Sequence, residues 1–293
     1  MKLIANRYGK SRVRVMKVLR DAGDAEVHTV KDLTARVLLE GDFERSYTAA
    51  DNANVVATDT MKNTIYVLAH EHLGQENEPF ARCIASHFLD RHAHVSQVTV
   101  ELDERVWTRL HVRADATATA AGAAAAHPHS FIQTEVARPF TRLIASRTTA
   151  THESGIRELL ILKSTASGFE GFHRDELTTL PETNERILAS AMRATWLWER
   201  DRTPASYRGT QRTIIDAMLV PFAQRYSPSV QATLFEMGTA ALEACPEIAR
   251  ITLTMPNLHC LPVDLGRFGR TNRHEIFVPT DEPHGDIEAT VSR

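Results

Sequence analysis

Gln97-Val98-Thr99-Val100-Glu101-Leu102 and Ile251-Thr252-Leu253-Thr254-Met255 alternate polar and apolar residues, the pattern of a strand buried on one face. The two runs match each other and lie in opposite halves of a 293-residue chain. Upstream of the first, Ser11 to Val18 alternates Arg12 and Arg14 with Val13 and Val15, and Leu33 to Leu39 is a second β-rich run. Asp59 is placed to cap a helix carrying Met61, Ile65 and Leu68, and Pro79 to open another carrying Phe80, Ile84 and Phe88. Phe131 to Ile144 reads as a further long strand.

The same order recurs around the second run. Glu158 to Thr165 and Ile187 to Glu199 read as strands, and Ile215, Met218, Leu219 and Phe222 form one face of a helix. Ser227 before Pro228 is a good N-cap for the next helix, which carries Leu234, Met237 and Leu242. Glu275 to Val278 closes the set as a strand. The expected class is therefore α+β: two tandem strand-strand-helix-helix-strand-strand units with antiparallel sheets, residues 1–150 and 151–293. Ala116 to Ala126, all Ala and Thr apart from Gly122, reads as a mobile loop insertion, with a short Ala-rich helix as the rival. A sheet covered by helices on one face leaves its other face and its edges to be covered, so oligomerisation is expected.

Composition narrows the partner. The chain is 43% hydrophobic and 6% aromatic, enough for two cores, and 34 basic against 37 acidic residues give no field that favours nucleic acid or an acidic membrane. Nothing has the length needed to span a bilayer, and MKLIANRYGKSRVRV lacks the apolar core of an export signal. A cytoplasmic protein with a small ligand is expected. Cys83, Cys245 and Cys260 are too far apart for a CxxC site or a disulfide framework. The pairs His70/His72, His92/His94 and His127/His129 complete no known metal-ligand pattern, and no GxGxxG or P-loop is present, so no cofactor is expected.

Leu160-Ile161-Leu162-Lys163-Ser164-Thr165-Ala166-Ser167-Gly168-Phe169, followed by Phe172, Leu180 and Arg186, resembles the signature segment of the uricase family. Tyr8-Gly9-Lys10, Ala57-Thr58-Asp59 with Lys62-Asn63-Thr64, Ser229-Val230-Gln231 and Pro256-Asn257-Leu258-His259 extend the resemblance over nearly the whole chain. Leu177 departs from it where an aromatic is usual. Val291-Ser292-Arg293 departs too, lacking the peroxisomal Ser-Lys-Leu of eukaryotic members, which points to a bacterial type.

The resemblance implies the tunnelling fold, in which such units close into barrels and a homotetramer places active sites between chains. It also implies cofactor-free oxidation of urate by dioxygen to 5-hydroxyisourate and hydrogen peroxide. One site would take Lys10, Thr58 and Asp59 from one subunit and Phe169, Arg186, Val230, Gln231, Asn257 and His259 from another. Those residue types fit a flat anionic purine. Arg186 offers a planar bidentate cation, Gln231 an amide that donates and accepts, Phe169 an aromatic face, and Val230 a helix-terminal N–H. For chemistry the protein must remove a proton and hold dioxygen. Lys10, Thr58 and an ordered water suit a proton relay, His259 could pass protons to it, and the Asn257 amide suits dioxygen or water. Taken alone, Lys10 reads as a solvated charge, Thr58 as part of a cap, Arg186 as a strand-end cation, and Asn257 and His259 as loop residues. Two rival functions stay open: another tunnelling-fold enzyme acting on a purine or pterin, and a urate-binding protein without turnover.

Overall fold

A computed structural model of the chain describes residues 1–20, 26–113, 124–133, 137–200 and 202–293. These form two compact units, Met1–Ser154 and Gly155–Arg293.

In the first unit, strands β1 (Tyr8–Arg20), β2 (His28–Gly41), β3 (Val95–Val106) and β6 (Arg138–Ser146) form an antiparallel sheet in the order β1-β2-β3-β6. Val37 faces Val100 and Leu39 faces Val98 across β2 and β3, so the alternation in each strand reinforces one apolar face. A short helix α1 (Glu44–Thr48) leads to α2 (Thr58–His72) and α3 (Asn77–Arg91). Met61 and Ile65 of α2 and Phe80, Ile84 and Phe88 of α3 are inaccessible to solvent and share one core with Val98, Val100 and Leu102. Each such side chain contributes about 1.5–3 kcal/mol of burial. Strands β4 (Thr108–Val112) and β5 (Ala125–Ile132) form a separate two-stranded ribbon.

In the second unit the order is β7 (Ala150–Lys163, entering from the boundary), β8 (Leu188–Trp198), α4 (Tyr207–Gln224), α5 (Val230–Ala244), β9 (Ile248–Pro262) and β10 (Phe277–Ser292). Strands β8, β9 and β10 pair antiparallel. Helix α5 packs on β9 and β10, and Leu234 and Met237 meet a strand face made by Ile251, Leu253 and Met255, all solvent-inaccessible. The α+β class and antiparallel sheets expected from the alternation are thus present.

Four local expectations need correction. Phe131 to Ile144 is not one strand: β5 ends at Ile132 and β6 begins at Arg138, each with its own partner. Helix α5 is capped by Ser229, whose hydroxyl accepts from the Ala232 N–H at 3.1 Å, not by Ser227, whose backbone is tied into a neighbouring loop. On α4 it is Ile214 that is buried, with Ile215 only partly so, because the buried face is set by Met218 and Phe222. The last strand begins at Phe277 and runs on to Ser292, well past the Val278 end expected for it. The expectation for Ala116 to Ala126 falls outside the described residues up to position 123, and Ala125 and Ala126 already belong to β5.

Candidate active site

After β7 the chain folds into a loop held by its own backbone. The Gly168 N–H donates to Ser227 O at 2.8 Å and the Ser227 N–H to Ala166 O at 2.9 Å. Phe169 and Thr183 exchange both backbone bonds, at 2.6 and 3.1 Å, and the Arg186 N–H donates to Ser167 O at 2.8 Å. Gly168 sits where backbones crowd: a Cβ there would lie 2.1 Å from Tyr226 Oη and 2.8 Å from Thr183 O. The result is that Phe169 and Arg186, seventeen positions apart, meet. The Arg186 guanidinium carbon stands 5.7 Å from the centroid of the Phe169 ring, which stacks at 4.9 Å on Phe172. Burial pulls the Arg186 pKa below its ordinary value, an effect partly opposed by Tyr226. Arginine nevertheless keeps its charge.

Helix α5 begins beside this loop. Ser229 satisfies the Ala232 N–H, while Val230 and Gln231, as the first two residues of the helix, have N–H groups with no partner inside it. That end is receptive to an anionic oxygen. Asn257 and His259, two apart on β9, point to the same side of the strand. Their partners on β10, Gly285 and Thr280, are five apart, so β10 bulges at this point. Phe169, Arg186, Val230, Gln231, Asn257 and His259 line one cavity of about 480 Å³, within the range of small-molecule sites.

Of the residues singled out from sequence, these six come together within the second unit. Lys10, Thr58 and Asp59 stand in the first. Lys10 lies on β1 opposite Val37, just before a bulge at which Arg12 takes φ +59°. Thr58 is the first residue of α2, with Ala57 as its N-cap, so Asp59 is inside the first turn rather than capping it. Asp59 is bonded by Lys62 and by Asn63. The Lys62 contact holds the Asp59 carboxyl below its usual pKa, with a smaller contribution from the Lys10 charge.

Sequence reasoning missed several cavity residues. Ile187, Cys260, His274, Phe277 and Ile287 line it as well. Ile187 and Cys260 adjoin recognised positions and were within reach, whereas nothing in the local pattern marks His274 or Ile287. Leu177, in the unusual position of the signature, is 82% exposed and takes no part in the cavity. The His92/His94 and His127/His129 rings do approach one another, at 5.7 and 4.6 Å. Among the described residues, no group of three or more His, Cys, Asp or Glu is arranged to hold a metal ion.

Fold and cavity define an α+β protein of two compact units, with a small-molecule cavity in the second unit beside the N-terminus of α5. A family model described as Uricase matches residues 6–144 and 152–288, and the chain belongs to the uricase family. It is 38% identical to a uricase of Dictyostelium discoideum, covering 99% of this chain and 97% of that one. It is 37% identical to a uricase of Arthrobacter globiformis over 98% of this chain and 89% of that one. The crystal structure of uricase from Arthrobacter globiformis superposes with a TM-score of 0.90, at 35% identity, covering 100% of this chain and 95% of that one. A uricase from Bacillus fastidious, at 22% identity and a TM-score of 0.81, shares the fold, covering 98% of this chain and 93% of that one.

Proposed function

We propose that this protein is a urate oxidase that binds urate in the cavity of its second unit and oxidises it with dioxygen to 5-hydroxyisourate and hydrogen peroxide. The observation that carries the reading is the convergence of Arg186, Phe169, Gln231 and the α5 N-terminus on one cavity. The guanidinium and the helix N–H groups meet the anion, the Gln231 amide donates and accepts along a purine edge, and the Phe169 face stacks on the ring. Asn257 and His259 share one side of β9, and we assign Asn257 to dioxygen or water and His259 to passing protons to the relay.

In the reaction urate gives up two electrons to dioxygen, water adds to the purine carbon, and the two protons of hydrogen peroxide come from urate and water. A proton acceptor is therefore required. Among the described residues lining the cavity there is no lysine. We assign the relay to Lys10 and Thr58, with Asp59 beside them, supplied by the first unit of a neighbouring chain in a homotetramer whose sheets close into barrels. No metal or organic cofactor enters the proposal, since a deprotonated urate is itself reducing. A cytoplasmic setting is part of the same reading. Among the described residues no helix is long and apolar enough to cross a membrane, and the three cysteines are free.

The test is whether chelator-treated protein removes the ultraviolet absorbance of urate while consuming dioxygen mole for mole. Lys10→Met should lower kcat strongly and spare inhibitor binding, whereas Arg186→Ala should weaken inhibitor binding as well. Co-expressing the two inactive variants should restore part of the activity if sites are shared between chains. Activity restored to chelated protein only by a metal, or an inert Lys10→Met, would sink the corresponding part.

A further inference from the structure

Two residues before Lys10 stands Tyr8, and two residues before Thr58 stands Val56. The Tyr8 hydroxyl accepts from the Val56 N–H at 2.7 Å and donates to the Val56 carbonyl at 3.2 Å, so one side chain satisfies both polar groups of a nearly buried residue. The Tyr8 ring is fixed in turn by Phe43, edge to face at 4.8 Å, and Phe43 is itself 1% exposed. Burial raises the Tyr8 pKa, which keeps the hydroxyl protonated and able to donate.

What this tie controls follows from what surrounds it. Helix α2 starts without any side-chain cap, since its N-cap is Ala57 and the first-turn Asp59 is engaged by Lys62 and Asn63. The position of Thr58 is thus set by the segment that enters the helix, and Tyr8 grips that segment from β1. Lys10 is the last residue of β1 in register with β2 before the bulge, where the pairing shifts. Lys10 and Thr58 belong to different elements, and the Tyr8 hydroxyl joins the backbone of one to the backbone of the other.

We propose that Tyr8 is a positioning residue that sets the distance between Lys10 and Thr58 through its paired hydrogen bonds to Val56. The proposal rests on the reading of Lys10 and Thr58 as the proton relay. Small misplacements of such a pair are expensive, because proton transfer demands hydrogen-bond contact at the moment of reaction.

Tyr8→Phe removes one oxygen and keeps the ring against Phe43. Its kcat should fall about tenfold, while KM and the dissociation constant of a competitive purine inhibitor stay within about twofold of the parent. A merely structural role would move these together with the thermal midpoint. In a double-mutant cycle, Tyr8→Phe should cost nothing further once Lys10→Met is present, because it acts through the same pair. If Tyr8→Phe yields too little protein, Phe43→Leu, which loosens the ring but spares the hydroxyl, should show the same kcat-selective loss at smaller size. Full kcat in either variant beside an inactive Lys10→Met overturns the role of Tyr8 alone. Losses that simply multiply in the double variant do the same. Normal turnover by Lys10→Met overturns the relay, and the Tyr8 proposal with it.

Discussion

The two units share one frame and use it in opposite ways. Gly9 and Gly155 each bring a backbone against the carbonyl of the next strand, 1.9 Å from Val37 O and 2.3 Å from Ala194 O for an added Cβ. Three residues on, Arg12 and Glu158 both take a positive φ, +59° and +62°, the same departure in each unit's first strand, and in β1 the pairing register shifts there. Between these landmarks the first unit has Lys10 and the second has Ile156, which is 1% exposed. Glu78 and Gln231 are each the second residue of the helix before the matched strands, and Glu104 and Asn257 lie six positions past Val98 and Ile251.

In the second unit Gln231 and Asn257 line the cavity, while Ile156 is buried outside it. In the first unit their counterparts Glu78 and Glu104 belong to an internal polar cluster. Glu104 takes Lys31 at 2.5 Å, and Lys31 also donates to Gln75 O at 2.7 Å. Glu78 accepts from Ser154 at 2.6 Å and Thr141 at 3.2 Å. Lys31, Glu104 and Glu78 are 1, 3 and 6% exposed. Burial raises the Glu78 pKa, and its hydroxyl donors only partly offset this. The difference teaches that one scaffold keeps a site open by leaving polar side chains to be completed by a ligand, and closes it by pairing them within the chain.

The sharpest way to break this comparison is at Lys31. Lys31→Met removes the bonds from Lys31 to Glu104 and to Gln75 inside a buried cluster, and breaking a buried pair from one side costs roughly 3–5 kcal/mol. The thermal midpoint of the variant should drop by several degrees or more, while Lys31→Met with Glu104→Gln should recover much of the loss. Inhibitor affinity of the surviving folded protein should not change, because the lesion lies in the other unit. An unchanged midpoint would mean that the cluster does not hold the first unit together.

The frame was legible in the sequence because period-two and helical spacing report which face is buried, and Val98 to Leu102, Ile251 to Met255, Met61 and Phe80 all lie on buried faces. The exceptions share a cause. Strand β10 does carry a period of two, Ile287, Ala289 and Val291 alternating with the exposed Asp286, Glu288 and Thr290, but the exposed polar stretch Glu282 to Gly285 separates this run from Val278 and hid its continuity. The break between β5 and β6 is set by different pairing partners, which alternation along one chain does not encode. The α5 cap misled because Ser227 and Ser229 are both good cap residues, and only the tertiary bonding of Ser227 to the Ala166 loop decides between them. Site residues were legible through the family pattern and not through spacing. Phe169 and Arg186 meet because a loop folds on itself, Ile287 reaches the cavity from β10 through its pairing with β9, and His274 reaches it from the bend before β10, none of which local sequence announces.

A middle-sized effect is expected at Gly168. Adding one methyl forces it against Tyr226 Oη and, less yieldingly, against Thr183 O, so the loop carrying Phe169 and Arg186 must shift. Overpacking of this kind costs about 1–3 kcal/mol, and here it falls on the binding geometry. Gly168→Ala should raise KM and the inhibitor dissociation constant about tenfold or more. Gly41→Ala is the control in the first unit, since its Cβ would lie 2.1 Å from His94 O, equally tight but in the other unit. It should lower stability and leave inhibitor affinity near the parent value. Equal effects on affinity would erase the distinction drawn between the units.

The smallest effect concerns the helix starts that carry Glu78 and Gln231. Helix α3 has Glu76 as its N-cap with no side-chain cap bond, and its second residue, Glu78, is held by Ser154 and Thr141 instead. Among the described residues Gln231 of helix α5 has no such side-chain partners, and the helix start is fixed by the Ser229 hydroxyl on the Ala232 N–H. An uncapped α5 would fray toward the cavity, loosening the Val230 and Gln231 N–H groups assigned to the anion. Ser229→Ala should therefore cost about 1 kcal/mol of stability, the usual worth of a serine cap, and weaken inhibitor binding a few-fold. Ser229→Asp restores an oxygen acceptor and should recover the stability, yet its added charge beside the anion site should weaken binding further. Stability and affinity thus move together in the first variant and apart in the second. If Ser229→Asp restored both, the α5 start would matter only as a helix cap and the bound anion would lie elsewhere.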